Sequence, residues 1–193
     1  MPLIAKDLCK SFGELLVTDH FSYSFADGST TVIMGASGCG KSTLLGLLMG
    51  ILTPDSGTVI GNDVRLSAVF QEDRLCENLT VLANLKLVLP GKPDRAMLEN
   101  ELTAIGLGGC ADKTVRTLSG GMKRRTALLR ALLAEHEILF LDEPFKGLDD
   151  ETKHSVMEYT REKTAGSTVI MVTHSREEAE FFSSGPLILG SPG

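Results

Sequence analysis

Eight consecutive residues, Gly35-Ala36-Ser37-Gly38-Cys39-Gly40-Lys41-Ser42, constrain this chain more than any other feature. They follow a short apolar run, TTVIM at 30–34, that reads as a buried strand. They open an apolar segment expected to be helical from about Lys41 to Gly50 and stopped by Thr53-Pro54. In that order, glycines let backbone N–H groups turn inward around phosphate oxygens, and the helix N-terminus adds partial positive charge. Lys41 brings a point charge to the outer phosphates, the Ser42 hydroxyl suits a divalent cation, and Thr43 can reach a phosphate oxygen. A glycine-rich turn beside an exposed lysine would need neither the strand before it nor the helix after it.

Composition narrows the setting. The 193 residues carry a net charge of −6, which argues against a general nucleic-acid binder. The longest apolar stretch, Leu44 to Leu52, is interrupted by Gly46 and Gly50, well short of the about 20 residues a membrane-spanning helix needs. The N-terminal MPLIAKDLCK lacks the long apolar region of a secretory signal. Cys9, Cys39, Cys76 and Cys110 are scattered, with no C-x-x-C, so free thiols in a reducing cytosol are expected.

The pattern changes along the chain. Residues 15–25 (LLVTDHFSYSF) read as a strand ahead of an Asp27-Gly28 turn, and 58–60 and 68–70 as a further strand pair. Residues 79–106 are mostly helical, with Thr80 and Asp94 as N-caps, a break at Pro90-Gly91-Lys92-Pro93 and an end at Gly106. Helix and strand then alternate: 121–134, 150–163 and 176–182 helical, 138–141 and 168–172 extended. Such alternation indicates an α/β fold whose parallel sheet is covered on both faces.

Two further motifs carry chemistry. Ile138-Leu139-Phe140-Leu141-Asp142-Glu143-Pro144 is an apolar strand that delivers Asp142 at its C-terminal end, where α/β sheets bind ligands. Asp142 there fits a Mg²⁺ site opposite Ser42, and Glu143 one residue on could orient or deprotonate a water. Leu118-Ser119-Gly120-Gly121-Met122 is a second helix N-terminus able to hold phosphate, with Ser119 as N-cap. One nucleotide does not need two such ends in one chain, so the spare one suits a nucleotide held by a second chain. The following Lys123-Arg124-Arg125 reads as a solvated helix face.

The phosphate loop, LSGGM and ILFLDEP, followed by Gly147-Leu148-Asp149 and Val172-Thr173-His174, together resemble the ATP-binding subunit of an ABC transporter over nearly the whole chain. The resemblance implies a P-loop NTPase fold with a RecA-like parallel core, an antiparallel β subdomain and a helical subdomain. It implies one domain over 1–193, with the core at about 1–75 and 115–193 and the helical subdomain at about 76–114. ATP and Mg²⁺ are the implied cofactors. Gly35, Ala36, Ser37, Gly38, Cys39, Gly40, Lys41, Ser42 and Thr43 would hold the phosphates. Ser42, Gln71 and Asp142 would attend the metal. Glu143 would be the catalytic carboxylate, with His174, Gln71 and Lys41 acting beside it. Ser119, Gly120 and Gly121 would bind the ATP of a partner cassette, most simply a second copy arranged head to tail, and Asp149 would cross that interface. Phe12 matches the aromatic that stacks on adenine, although tyrosine is more usual there; a core phenylalanine is the competing reading.

The same resemblance implies membrane permease subunits as partners, a solute-binding protein for an importer, and a place on the cytoplasmic face of the membrane. Apolar residues around 79–89 would help line the permease-docking groove. The run Phe70-Gln71-Glu72-Asp73-Arg74-Leu75 and Ser119 to Arg125 are similar to the nitrate, sulfonate and taurine importer branch. The alternatives are an ABC ATPase for lipid, lipoprotein or drug export or for cell division, a soluble ABC regulator, and a small-molecule P-loop kinase. The kinase has no use for a second phosphate-binding helix end.

Overall fold

The computed structural model describes residues 2–183 and 185–190. By the density of internal contacts the chain divides into two units. The first comprises Met1–Leu66, His136–Asp142 and Gly166–Gly193; the second comprises Ser67–Glu135 and Glu143–Ala165.

The first unit holds two sheets. In the antiparallel one, β1 (Leu3–Phe12) lies between β2 (Leu15–Phe25) and β4 (Ser56–Ile60). Strand β2 matches the expected 15–25, whereas β1 gave no clear sequence signal. Its pairing slips at several points, and Asp7 (φ 52°) and His20 (φ 44°) are left-handed, so apolar and polar residues do not alternate cleanly. His20 Nδ1 lies 2.7 Å from Asp7 Oδ1, and that contact holds the imidazole pKa above its ordinary value. Strand β4 begins two residues earlier than expected because Ser56 pairs with Cys9 across a bulge at Gly57 (φ 84°).

Within this unit the second sheet has the order β6 (Ile138–Asp142), β7 (Thr168–Val172), β3 (Thr30–Met34) and β8 (Leu187–Ile188). The pairs β6–β7, β3–β7 and β3–β8 are parallel. All five residues of β6 and of β7 are buried, as their unbroken apolar runs require of strands covered on both faces. Strand β5 (Leu66–Val69), which belongs to the second unit from Ser67 on, starts earlier than the expected 68–70 and stops before Phe70; the two-residue β8 lies outside any expectation. Helix α1 (Lys41–Leu48) follows β3 and stops two residues short of the expected Gly50, while α6 (Arg176–Phe182) follows β7.

Apart from Ser67–Val69 of β5, the second unit is helical: α2 (Val81–Lys86), α3 (Arg95–Ala104), a single 3-10 turn at Val115–Thr117, α4 (Gly120–Leu133) and α5 (Asp150–Lys163). Each helix starts at a side chain that accepts a backbone N–H: Thr80 from Ala83, Asp94 from Ala96, Ser119 from Met122 and Asp149 from Thr152. Tyr159 on α5 donates its hydroxyl to Glu101 on α3, and Lys163 adds an ammonium 2.6 Å from the same carboxylate. Burial pushes the Glu101 pKa up, but the Lys163 and Tyr159 bonds outweigh it and hold the carboxyl below its ordinary value. No helix among the described residues is long and apolar enough to cross a membrane.

A Cβ at Gly57 would fall 2.2 Å from the Asp7 carbonyl oxygen, on a backbone that L side chains rarely adopt. Gly57→Ala should therefore destabilise the fold by about 2–4 kcal/mol, combining left-handed strain with a backbone clash. Urea unfolding checks this; an unchanged midpoint would mean that β1 and β4 do not pair as described.

Candidate functional site

In the first unit three parallel strands bring their C-terminal ends to one edge. Both Ile33 of β3 and Asp142 of β6 pair with Val172 of β7, so the chain segments leaving β3, β6 and β7 emerge side by side. These segments carry the phosphate loop, Asp142 and Thr173-His174. An edge of this kind is where open α/β sheets bind ligands.

The loop from Gly35 to Gly40 is shaped by its own lysine. Lys41 is 9% exposed and donates its ammonium to the carbonyls of Gly35 (2.8 Å) and Ala36 (2.7 Å), folding the side chain back over the turn. Gly40 (φ 93°) begins α1 in a left-handed conformation, and a Cβ there would sit 2.8 Å from the Val17 carbonyl oxygen. No side chain caps α1, which leaves its first N–H groups to an incoming ligand. Ala36, Ser37, Gly38 and Ser42 are exposed, and Thr43 is half-buried. Cys39 is buried, so its thiol lies inside the turn rather than facing a phosphate from solvent.

Ser42 Oγ donates to Asp142 Oδ2 at 2.8 Å. This places a hydroxyl and a buried carboxylate, both hard oxygen donors, at the start of α1 and the end of β6. Mg²⁺ takes oxygen ligands of this kind and keeps its remaining positions for water and phosphate, so the donor set fits that ion.

On the next edge position, Thr173 is fully buried and donates its hydroxyl to Glu178 Oε2 at 2.5 Å, while accepting the Ser175 N–H. Ser175 caps α6 by accepting the Glu178 N–H. The bonds brace the turn that presents His174, whose side chain is exposed. Neither Thr173 nor Glu178 stood out in the sequence as a support. Ser175-x-x-Glu178 has the form of a capping box, which would place the glutamate at a helix start but not on Thr173.

The second unit gathers the remaining candidates. Ser119 and Gly120 are exposed at the start of α4. Gly121 lies against the chain that leads to Asp149: a Cβ on it would be 3.3 Å from the Gly147 carbonyl oxygen. Asp149 caps α5, and its bonds to Thr152, backbone first, hold its carboxyl below the ordinary range. Gln71 is exposed just past β5. Glu143 is half-buried with φ 52°, one of four non-glycine residues with positive φ among those described.

Here the expectation of a solvated Lys123-Arg124-Arg125 face needs correction. Arg124 is 4% exposed. It donates from Nη1 to the Phe70 carbonyl (2.6 Å) and to Asp73 Oδ1 (3.0 Å), and from Nε and Nη2 to the Glu143 carbonyl (3.2 and 2.5 Å). Arg125 donates to the carbonyls of Gly121, Ile105 and Gly106, and Lys123 pairs with Glu77 at 2.7 Å. Arg124 and Arg125 have fixed partners because bare carbonyls at helix and strand ends need donors, and charge counting in the sequence does not reveal where those carbonyls lie; Lys123 is held by a carboxylate instead.

Phe12 is 50% exposed at the β1–β2 turn, with Lys10 Nζ 5.6 Å from the ring centroid, which removes the core reading. In the segment around 79–89, Val81, Leu82 and Leu85 are buried, whereas Leu79 and Leu87 are exposed.

Comparison with known proteins agrees with this geometry. Residues 18–146 match the family model described as ABC transporter. The aliphatic sulfonates import ATP-binding protein SsuB 2 of Paracoccus denitrificans is 38% identical over 186 residues, covering 95% of this chain and 76% of that protein. The Nod factor export ATP-binding protein I of Paraburkholderia xenovorans is 38% identical over 188 residues, 89% of this chain and 62% of that one. Among solved structures, the dimeric, post-hydrolysis ATP-binding cassette MJ0796 bound to ADP and Pi superposes with a TM-score of 0.81 at 27% identity, covering 93% of this chain and 91% of that one.

Replacing Thr173 with valine keeps the shape and removes the hydroxyl that bonds buried Glu178. Thr173→Val should cost about 1.5–3 kcal/mol, the value of a hydrogen bond to a charged group, and Thr173→Ser much less. Equal losses in thermal or urea unfolding would show that the methyl group, not the hydroxyl, matters there.

Proposed function

The chain belongs to the ABC transporter family, and from that premise we propose that it is the Mg-ATP-hydrolysing subunit of a solute importer, driving a separate membrane permease. The observation that carries the reading is the pairing of Lys41, drawn over the turn by the Gly35 and Ala36 carbonyls, with the 2.8 Å Ser42–Asp142 bond. Phosphoryl transfer to water needs positioning and charge neutralisation more than covalent chemistry. In this reading Gly35 to Thr43 wrap the phosphates with backbone N–H groups, and Lys41 neutralises the outer two. Ser42 and Asp142 would hold Mg²⁺, with Gln71 near it; the ion would supply charge neutralisation between the outer phosphates. The Glu143 carboxylate accepts the proton of the attacking water, and His174 donates to the terminal phosphate.

Ser119, Gly120 and Gly121 serve the ATP of a second cassette, with Asp149 at the shared boundary. The dimeric cassette structure supports that reading. We read the chain as a single cassette, with about 76–114 as its helical subdomain. Its place is the cytoplasmic face of the membrane, against permease subunits that contact the segment bearing Leu79 and Leu87. Phe12 offers an exposed ring for stacking on adenine. The likeness to the SsuB protein over 95% of this chain supports a small organic sulfonate or a related oxyanion as the transported solute.

Glu143→Gln should leave ATP affinity within about twofold and lower phosphate release by about 10² or more, the range of a lost general base. With ATP, the variant should accumulate as a dimer in size-exclusion chromatography. Near-parental turnover would remove Glu143 from the proton-accepting role.

A further inference from the structure

We propose that Arg124 is a positioning residue for catalysis, clamping the backbone of Glu143 and of the segment that enters Gln71. The proposal rests on the reading of Glu143 as the proton acceptor, and it concerns how that carboxylate is held.

Glu143 is held in a costly backbone state. At φ 52° it lies in the left-handed region, which costs a non-glycine residue on the order of 1–3 kcal/mol. The residue after it is Pro144, which crowds the preceding backbone and has no N–H. The only polar group of the 143–144 peptide plane is therefore the Glu143 carbonyl. That carbonyl receives two donors from one side chain, Arg124 Nε at 3.2 Å and Nη2 at 2.5 Å. Because the peptide is planar, fixing its carbonyl sets ψ of Glu143 and so the direction in which the carboxylate leaves the main chain.

The other edge of the guanidinium performs the same task on a second segment. Nη1 donates to the Phe70 carbonyl at 2.6 Å, which fixes the peptide plane whose N–H belongs to Gln71. The same nitrogen meets Asp73 Oδ1 at 3.0 Å, so the buried cation has its counter-charge within the loop it holds. A planar fork with donors on two edges can span two carbonyls and a carboxylate at once; an ammonium on a flexible stem cannot reproduce that geometry. Arg124 touches no reacting atom. It couples the backbone directions of two residues placed at the reaction.

The test compares Arg124→Ala and Arg124→Lys with the parent chain. Folded fraction is measured by circular dichroism, nucleotide affinity by titration with a fluorescent ATP analogue, and kcat and KM by phosphate release. Misplacement of a reacting group by about 1 Å costs up to about a hundredfold. Arg124→Ala should therefore lose between about tenfold and about a hundredfold in kcat per folded molecule, with KM and nucleotide affinity within about twofold. Guanidinium ion at low, non-denaturing concentration should restore turnover to Arg124→Ala but not to Glu143→Gln. If Arg124→Ala does not fold, Arg124→Lys decides by the same split between kcat and KM. The proposal is overturned if kcat per folded molecule stays at the parental value, if KM rises in place of a fall in kcat, or if guanidinium restores nothing. Failure of the parent to hydrolyse ATP, or full activity in Glu143→Gln, would instead overturn the functional reading beneath it.

Discussion

A single ammonium group organises the phosphate loop. Lys41 has given up most of its water, and two carbonyls six and five residues before it in the chain hold it in place. A cation so poorly hydrated is stable only where carbonyl dipoles or an anion surround it. Drawing Lys41 back over Gly35 and Ala36 closes the turn, and the closed turn in turn aims the uncapped N-terminus of α1 outward. The β3–β7–β6 order then sets Ser42 against Asp142 and the His174 turn alongside. In the proposed reading the loop is preformed for a polyanion, and ordering it during binding costs little further entropy.

The same logic recurs in the second unit with arginine in place of lysine. Chain ends of helices and strands leave carbonyls that must find donors, and Arg124, Arg125 and Arg130 supply them. Within the basic run at 123–125, the two arginines are thereby internal wiring. The charge of buried Arg124 is spent on carbonyls and on Asp73, while Lys123 pairs with Glu77.

Much of this was legible in the sequence. Unbroken apolar runs announced β3, β6 and β7, and Thr80, Asp94 and Ser119 announced their helices through capping chemistry. The phosphate loop, Asp142 and Glu143 stood out because their chemistry demands fixed spacings along the chain. What stayed hidden depends on backbone irregularity or on partners that no short pattern points to. Strand β1 is broken by left-handed Asp7 and carries no clean period; β8 is only two residues and exists by pairing with β3. The Thr173–Glu178 bond hid within an ordinary capping box. The burial of Arg124 follows from where the carbonyls of Phe70 and Glu143 lie, which no local pattern encodes. Phe12 could be read either way until its exposure decided against the core.

The central claim is that this chain carries the phosphate-binding half of a composite site and reaches turnover only with a second cassette. The direct measurement is ATPase activity per chain over a hundredfold dilution series. The account predicts that activity per chain falls steeply on dilution and is restored by adding inactive Glu143→Gln chains, whose Ser119–Gly121 segment is intact. Constant activity per chain across the series, with no response to the added variant, would contradict it.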